Sequence, residues 1–232
     1  MEQIYTIPVN EAFEKSAADK SCGCPMCALY RKLEADELSL ILGASMMEPD
    51  VRIQTNKKGF CSKHYDKMLK MSNRLSLALI LESHLAEVRS SVEKGSALPF
   101  FAPKDKTVSA MAELEASCYV CDRIENNMQH MIETAVILWD RDPEFKNKLD
   151  AQPYFCLPHY RRLLEYAKSK LSKKAFADFS SALLSVQSAY SEELSGDVSW
   201  FCKKFDYRYE NEPWGNSKDA IERAIKFLNG DF

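Results

Sequence analysis

The chain has 232 residues, of which 46% are hydrophobic and 28% are charged, enough to build the core of one large domain or two small ones. Its net charge of −3 offers no basic field to attract a phosphate backbone, which argues against a nucleic-acid-binding protein. The longest apolar run, near residues 75–81, is far shorter than the ~20 residues of a membrane span, and no signal peptide is visible, so we expect a cytoplasmic protein.

The hydrophobic pattern predicts an all-α fold. Only seven glycines occur, and apolar residues recur every three or four positions, as at Leu81, Leu85, Val88 and Val92. The alternation typical of strands is not sustained anywhere. In chain order, helices are predicted at about residues 25–42, 61–71, 73–94, 107–117, 119–139, 156–168, 176–194 and 218–228. Residues 95–103, with one glycine and two prolines, are predicted to link two halves.

Two cysteine motifs each occur twice, at matched spacing. The first copy is Cys24-x-x-Cys27, then 33 residues, then Cys61-x-x-His64; the second is Cys118-x-x-Cys121, then 34 residues, then Cys156-x-x-His159. A period of about 94 residues indicates duplication of a helical unit. We therefore predict one helical domain made of two pseudo-repeats, residues 22–95 and 107–195, each pinned by a Cys3His metal site, with a C-terminal aromatic-rich segment and helix at 196–232.

Three thiolates and one imidazole make a closed tetrahedral set that suits structural zinc. We therefore predict two zinc ions per chain, with each half supplying its own site. The first site would take Cys24, Cys27, Cys61 and His64, and the second Cys118, Cys121, Cys156 and His159. Iron–sulfur clusters are the main alternative, because they also take mostly cysteine with an occasional histidine. The additional Cys22 could serve such a cluster or replace a ligand transiently.

Other uses of these residues fit less well. A thioredoxin-like Cys-x-x-Cys needs a βαβ context, which the pattern lacks. A nucleophile–base pair such as Cys61 with His64 would be needed only once, whereas the motif is doubled. We expect Cys202 to pack against neighbouring aromatic residues, and we expect His84 and His130 to be surface or hydrogen-bonded core histidines.

Residues 200–215, the aromatic tail, include six aromatic residues, of which Trp200 is the first and Trp214 the last. These rings either cap the helical core or form a groove for a protein or small-ligand partner, with Lys204 and Arg208 as polar anchors. The final helix is predicted to be capped at Asn216 or Ser217 and to stop at Gly230.

Several stretches of the chain are similar to one family. These are the CPxC near the start, "MEPDVR", "GFCxxHY", the second CxxC and FCxxHY, and the closing "KKFDYR…EPWG…SKDA". Together they resemble an uncharacterised bacterial family known only as a domain of unknown function. The resemblance runs from about Cys22 to Leu228 and implies no established activity, substrate or partner.

The sequence thus favours a non-catalytic, zinc-stabilised helical protein that binds another protein or a small ligand, since no catalytic constellation lies outside the metal motifs. An iron–sulfur or thiol-based redox, electron-transfer or sensor protein is the alternative. A nucleic-acid binder is a third hypothesis, which the acidic balance disfavours.

Overall fold

The computed structural model of the chain describes residues 3–96 and 105–232. All regular secondary structure within these ranges is helical, which confirms the all-α prediction. The predicted linker falls mostly on residues 97–104, which lie outside the described residues. Its first two positions belong to a helix that continues to Ser96.

The described ranges contain the α-helices α1 (Gln3–Ala18), α2 (Pro25–Leu42), α3 (Pro49–Lys58), α4 (Ser62–Lys70), α5 (Arg74–Ser96), α6 (Asp105–Ala116), α7 (Tyr119–Arg141), α8 (Pro143–Asp150), α9 (Leu157–Lys170), α10 (Lys173–Lys203) and α11 (Ala220–Asn229). Short 3-10 helices lie at Lys20–Cys22, Ala44–Met47, Tyr207–Tyr209 and Gly215–Asp219. The final helix stops at Gly230 as predicted, but its cap is Asp219, because residues 215–219 form a 3-10 turn first.

Helices α1, α3 and α8 were not predicted as separate helices. Both α3 and α8 begin with a proline, Pro49 and Pro143, at the first helical position. Proline is suited to that position because its missing N–H would have no partner within the helix. The Asp142 side chain caps α8 by accepting a hydrogen bond from the Glu144 N–H at 2.9 Å. Both acidic-Pro sequences are therefore helix starts.

The chain forms two compact units, Met1–Arg31 with Met128–Phe232, and Lys32–Asn127. The boundaries between the units fall inside helices α2 and α7. Neither unit coincides with a predicted repeat, because each takes one cysteine motif from each half of the chain. The internal repeat itself stays a prediction.

The discontinuous unit is built around buried aromatic rings. Phe13 of α1 lies with its ring centroid 4.8 Å from that of Phe145 on α8 and 6.0 Å from that of Phe155. The Gln152 amide donates to the Phe13 carbonyl at 2.8 Å, which fastens the end of α8 to α1. The His130 ring stacks on that of Tyr5, with ring centroids 5.2 Å apart.

The continuous unit centres on the packing of α3 and α4 against α5. The Arg52 guanidinium donates to the Leu79 carbonyl at 3.0 Å and to the Ser83 hydroxyl at 2.7 Å. Buried His84 places Nδ1 2.7 Å from the Asn56 carbonyl oxygen, so it is a hydrogen-bonded core histidine, as predicted. Among the described helices, none is both long and apolar enough to cross a membrane.

Candidate metal centres

Four helix starts carry the eight predicted ligands. Cys61 and Cys156 are the N-cap residues of α4 and α9, and both have extended backbone dihedrals. Cys24 and Cys118 directly precede the first residues of α2 and α7. In each motif the second ligand lies three positions on, within the first helical turn, so both side chains lie on the same side of the helix start.

Two glycines in the left-handed backbone region lead the chain into two of these starts. Gly23 has φ of 70°, and a Cβ at this position would lie 2.9 Å from the Tyr154 hydroxyl. Gly59 has φ of 57°, and a Cβ there would lie 2.8 Å from Nε2 of His84. A larger residue would be strained and crowded at both positions, so these glycines set the approach of the chain to the ligands.

The first cluster consists of Cys24, Cys27, Cys156 and His159, whose ligand atoms all lie within 4.8 Å of one another. The imidazole Nδ1 of His159 faces the sulfurs, at 3.1 Å from Cys156, 3.5 Å from Cys27 and 3.8 Å from Cys24. The Cys27 and Cys156 sulfurs are 3.5 Å apart. All four residues are buried, with at most 2% of any of them exposed.

The second cluster consists of Cys61, His64, Cys118 and Cys121, again within 4.8 Å of one another. Nδ1 of His64 lies 3.2 Å from the sulfurs of Cys61 and Cys118 and 3.5 Å from that of Cys121. The Cys61 and Cys121 sulfurs are 3.8 Å apart. His64 and Cys118 are buried, whereas Cys61 and Cys121 are partly exposed.

The structure brings together all eight predicted residues, but the predicted pairing within each half was wrong. Each cluster combines the Cys-x-x-Cys of one half with the Cys-x-x-His of the other. The start of α2 meets the start of α9, and the start of α4 meets the start of α7. Local spacing fixes only which two ligands share a helix start, and the tertiary packing of the helices decides which two starts meet.

The separations of the ligand atoms suit a single tetrahedral ion. Zinc–sulfur bonds of ~2.3 Å and zinc–nitrogen bonds of ~2.0 Å imply tetrahedral edges of about 3.8 Å between sulfurs and about 3.5 Å between sulfur and nitrogen. In each cluster four of the six edges lie between 3.1 and 3.8 Å, and the other two are at most 4.8 Å. All eight cysteines are free thiols, and the sulfur–sulfur distances far exceed the ~2.05 Å of a disulfide.

The full length of the chain, residues 1–232, matches the model of the "Family of unknown function (DUF6062)". The chain belongs to the DUF6062 family. Searches of curated proteins and of solved structures found no match. The family resemblance expected from the sequence is therefore confirmed and extends beyond Cys22 and Leu228 on both sides.

Burial in the first cluster of this DUF6062 chain disfavours the charged forms of its side chains when no cation is bound. Burial raises the pKa of the Cys24 thiol to about 12, because no solvent stabilises its thiolate. Burial, assisted by the charge of Arg162, lowers the pKa of His159 to about 3, so the imidazole stays neutral as a metal ligand must. A divalent cation among the sulfurs would offset the cost of the thiolates.

Residues 230–232 of the DUF6062 chain cover the first cluster. The Asp231 N–H donates to the Cys27 sulfur at 3.5 Å, and the Phe232 ring lies 5.2 Å from the His159 ring. Arg31 holds this segment by donating to the Asp231 carbonyl at 2.8 Å and to its carboxylate at 2.7 Å. The first cluster thus has an aromatic cover, fastened by an ion pair.

The second cluster has a carboxylate beside its histidine instead. Oε1 of the buried Glu34 lies 3.1 Å from Nε2 of His64, so the carboxylate accepts the proton of the nitrogen that faces away from the sulfurs. Lys67 pairs with the same carboxylate, and Lys63 lies 3.3 Å from it. Carboxylate–histidine–metal arrangements of this kind orient the imidazole and make it a stronger ligand.

Glu34 belongs to the second candidate site and was not predicted from the sequence. It lies ten residues after Cys24, within an ordinary amphipathic helix, and no motif marks it. The one signal in the sequence is that this carboxylate falls on the buried face of α2. Burying an unpaired charge is costly, so a partner for it is expected. Burial would raise the pKa of Glu34, but Lys67 and Lys63 outweigh that effect and hold it below the ordinary value.

The thiols of the second cluster differ from one another. Burial, with the neighbouring Cys118, raises the pKa of Cys121 to about 12. Burial also opposes ionisation of Cys61, but hydrogen bonds from the His64 N–H and from the other two thiols lower its pKa overall. Burial lowers the pKa of His64, and the charge of Glu34 opposes this effect.

The two cysteines outside the clusters have separate environments. Cys22 is a half-buried thiol within the 3-10 turn before α2 and is not a member of the first cluster. Cys202 is exposed, so the prediction that it packs against aromatic residues was wrong. Its neighbour Phe201 makes those ring contacts, and Cys202 points about 100° around the helix from it.

The aromatic tail folds back on the end of α10 as a half-exposed cluster. The Trp200 indole donates to the Pro213 carbonyl at 3.0 Å, and the Phe201 ring lies 5.7 Å from that of Trp214. The Lys204 ammonium donates to three carbonyls of residues 209–212, the nearest at 2.6 Å. Four of the six aromatic residues in this described segment are half-buried, and Phe205 and Tyr207 are exposed.

Proposed function

We propose that this DUF6062 protein is a non-catalytic, zinc-stabilised helical module that presents a binding surface. The observation that carries the proposal is the match between the ligand separations in both clusters and the edges of a zinc tetrahedron. Each ion would join two helix starts that are distant in sequence, so that the free energy of metal binding contributes to folding.

Zinc is favoured over iron–sulfur clusters by the size of the ligand sets. A cluster of several iron and sulfide ions occupies more space than one ion and holds its cysteine ligands farther apart. In both ligand sets of this protein the four ligand atoms lie within 4.8 Å of one another, which suits a single ion at the centre. Mixed thiolate and imidazole ligands are also those that zinc prefers.

The closed ligand sets favour a structural role over catalysis. A catalytic zinc keeps one position for water or substrate, usually with three protein ligands. Here each cluster supplies four protein ligands, and in the first cluster they are all buried. This arrangement leaves no coordination position for a reacting molecule.

The aromatic tail is the surface that we propose for a protein or small-ligand partner. Phe205 and Tyr207, which follow shortly after the end of α10, are 77% and 85% exposed. Exposed aromatic rings beside cationic side chains are typical of binding surfaces. Arg208, held by Asp206, supplies the cationic side chain, whereas the three N–H donors of Lys204 are used by carbonyls of the tail itself.

The deciding experiment is elemental analysis of the purified full chain, together with its visible spectrum. We expect a colourless protein with about two zinc ions per chain. A brown protein that contains iron and sulfide would overturn the zinc assignment and favour the redox hypothesis. A chain that contains neither metal after anaerobic purification would overturn the proposed function altogether.

The tail is tested separately through stability. Phe205→Ala and Tyr207→Ala should leave the midpoint of thermal unfolding unchanged, because these rings bury little surface. The matched control is Phe13→Ala, which removes a fully buried ring and should cost about 3–5 kcal/mol. A large loss of stability in either tail variant would indicate a structural role instead of a docking role.

A further inference from the structure

The two clusters differ in how far solvent can reach their sulfurs. The sulfur ligands of the first cluster are at most 2% exposed, and residues 231 and 232 lie over them. Two of the three sulfur ligands of the second cluster, Cys61 and Cys121, are partly exposed. Solvent therefore reaches part of these two residues without any opening of the structure, which lets a small oxidant approach the second cluster.

The same two cysteines are also neighbours. Their sulfurs lie 3.8 Å apart, on the first residue before α4 and in the first turn of α7. Closing that gap to the ~2.05 Å of a disulfide needs side-chain rotation and a small approach of the two helix starts. The Cys27 and Cys156 sulfurs are similarly close, at 3.5 Å, so solvent access distinguishes the clusters and sulfur proximity does not.

We propose that the second cluster is an oxidant-sensitive metal centre. A hydroperoxide would oxidise Cys61 and Cys121 to a disulfide and release one zinc ion, while the first cluster keeps its metal. This inference rests on the proposed function, because it needs two bound zinc ions, and it adds a regulated response that a purely structural site lacks.

The chemistry balances with the hydroperoxide as the only oxidant. One thiolate attacks the terminal peroxide oxygen, which breaks the O–O bond and yields a sulfenic acid and, from hydrogen peroxide, a hydroxide ion. The second thiolate then attacks the sulfenic sulfur and forms the S–S bond, and a second hydroxide leaves. Two sulfurs lose two electrons and the peroxide gains two. With two sulfur ligands consumed, only His64 and Cys118 remain for the zinc.

The surrounding structure would keep the helix starts together after metal loss. The Tyr119 N–H donates to the Gly59 carbonyl at 3.0 Å, and the Ser117 hydroxyl donates to the Lys58 carbonyl at 2.6 Å. The Lys58 ammonium also pairs with Asp122 at 2.6 Å. These bonds connect the approach to α4 with the start of α7 without a metal, so reduction and added zinc should rebuild the site.

The experiment uses the full zinc-loaded chain in a Cys22→Ser, Cys202→Ser background. That background removes the two thiols outside the clusters and so removes their oxidation from the measurement. The zinc content is measured first. Hydrogen peroxide is then added with a metallochromic chelator, and the released zinc and the disulfides, mapped by mass spectrometry of peptides, are followed with time.

We expect about one zinc per chain to be released rapidly and the second at least about tenfold more slowly. The rapid phase should coincide with a Cys61–Cys121 disulfide, and dithiothreitol with added zinc should restore the starting content. Simultaneous release of both ions, a first disulfide between cysteines of the first cluster, or resistance of both ions would overturn the inference alone. A chain without zinc before peroxide is added would overturn the proposed function as well, and the initial zinc count separates the two cases.

A second variant tests the inference without removing a ligand. Glu34→Gln weakens the support of His64 and should speed the peroxide-driven release from the second cluster while the slow phase is unchanged. A variant in which only the slow phase accelerates would assign the rapid phase to the first cluster and overturn the inference.

Discussion

The two candidate metal clusters contain the same types of ligand but differ in the residues around them. Both contain three cysteines and one histidine, in both Nδ1 of the histidine faces the sulfurs, and in both one helix start meets another. The first is buried under an aromatic ring and an ion pair, whereas the second is partly exposed and has a carboxylate hydrogen-bonded to its histidine. The comparison teaches that a ligand motif sets what can bind, while the residues around it set how firmly and how accessibly it is held.

The largest expected effect is the loss of a cluster. Cys156→Ser should remove one zinc and lower the free energy of unfolding by about 4 kcal/mol or more, because it breaks the buried cluster. Cys61→Ser should also remove one zinc but cost less, since other bonds connect the same helix starts. Zinc content and thermal unfolding check both variants, with Cys202→Ser as the control. Full metal in either variant would show that its ligand set is wrong.

The next effect concerns the carboxylate that only the second cluster has. Glu34→Gln should weaken zinc binding at that cluster by about 10–100-fold, because His64 loses its charged hydrogen-bond partner. Competition with a chelator of known affinity measures the change. Glu37→Gln, on the same helix and paired with Arg123, is the matched control. Equal weakening of zinc binding by the two variants would show that the loss of negative charge matters and the contact with His64 does not.

Acidification, like oxidation, should release zinc from the second cluster before the first. Burial holds the pKa of both histidines below the ordinary 6.5, so their neutral forms stabilise the fold fully above pH 6.5 and lose that contribution as pH falls towards the folded pKa. That pKa is about 3 for His159, whereas Glu34 opposes the lowering at His64. We therefore expect the second cluster to release zinc at a higher pH.

Stepwise dialysis from pH 7 to about pH 3 with zinc analysis measures this order, since a histidine ligand must be neutral to bind. The Cys61→Ser variant, which keeps only the first cluster, assigns each step. A single release step for both ions in the unmodified chain would contradict the predicted difference.

The smallest expected effect comes from the aromatic cover. Phe232→Ala should speed chelator-driven release from the first cluster several-fold, because it uncovers the His159 ring and also removes a contact with Tyr30. Release from the second cluster should not change. Phe205→Ala removes an exposed ring of the same type elsewhere and serves as the control. No change in either phase would mean that burial by the helices alone protects the first cluster.

Much of the fold could be predicted from the sequence, because long amphipathic helices carry their own signal. The helix predicted at residues 25–42 agrees with α2, Pro25–Leu42. It could be predicted because its buried residues recur at helical spacing. Helix α1 was missed because exposed Ile4 and Ile7 interrupt its apolar face. The buried face of α1, which includes Val9 and Phe13, is defined only by packing within the same unit.

The candidate sites could be predicted as a set of residues but not as two assembled centres. Cysteine and histidine are scarce, so their doubled spacing identifies ligands at once. Which helix starts meet depends on long-range packing, and no local pattern records that. Glu34 was invisible for a related reason, because glutamate is common on helices and only its contact with His64 gives it a role.

The two candidate metal cross-links are nested in the sequence, because each cluster combines motifs from both halves of the chain. The first cluster joins Cys27 to His159 across 132 positions, and the second joins His64 to Cys121 across 57 positions that lie wholly inside that interval. Closing the longer loop costs about 0.7 kcal/mol more in chain entropy. During synthesis the inner ligands are also complete about 38 residues before the outer ones, since Cys121 precedes His159 by that number. The second cluster can therefore form first, and the first cluster then forms around a part of the chain that is already folded.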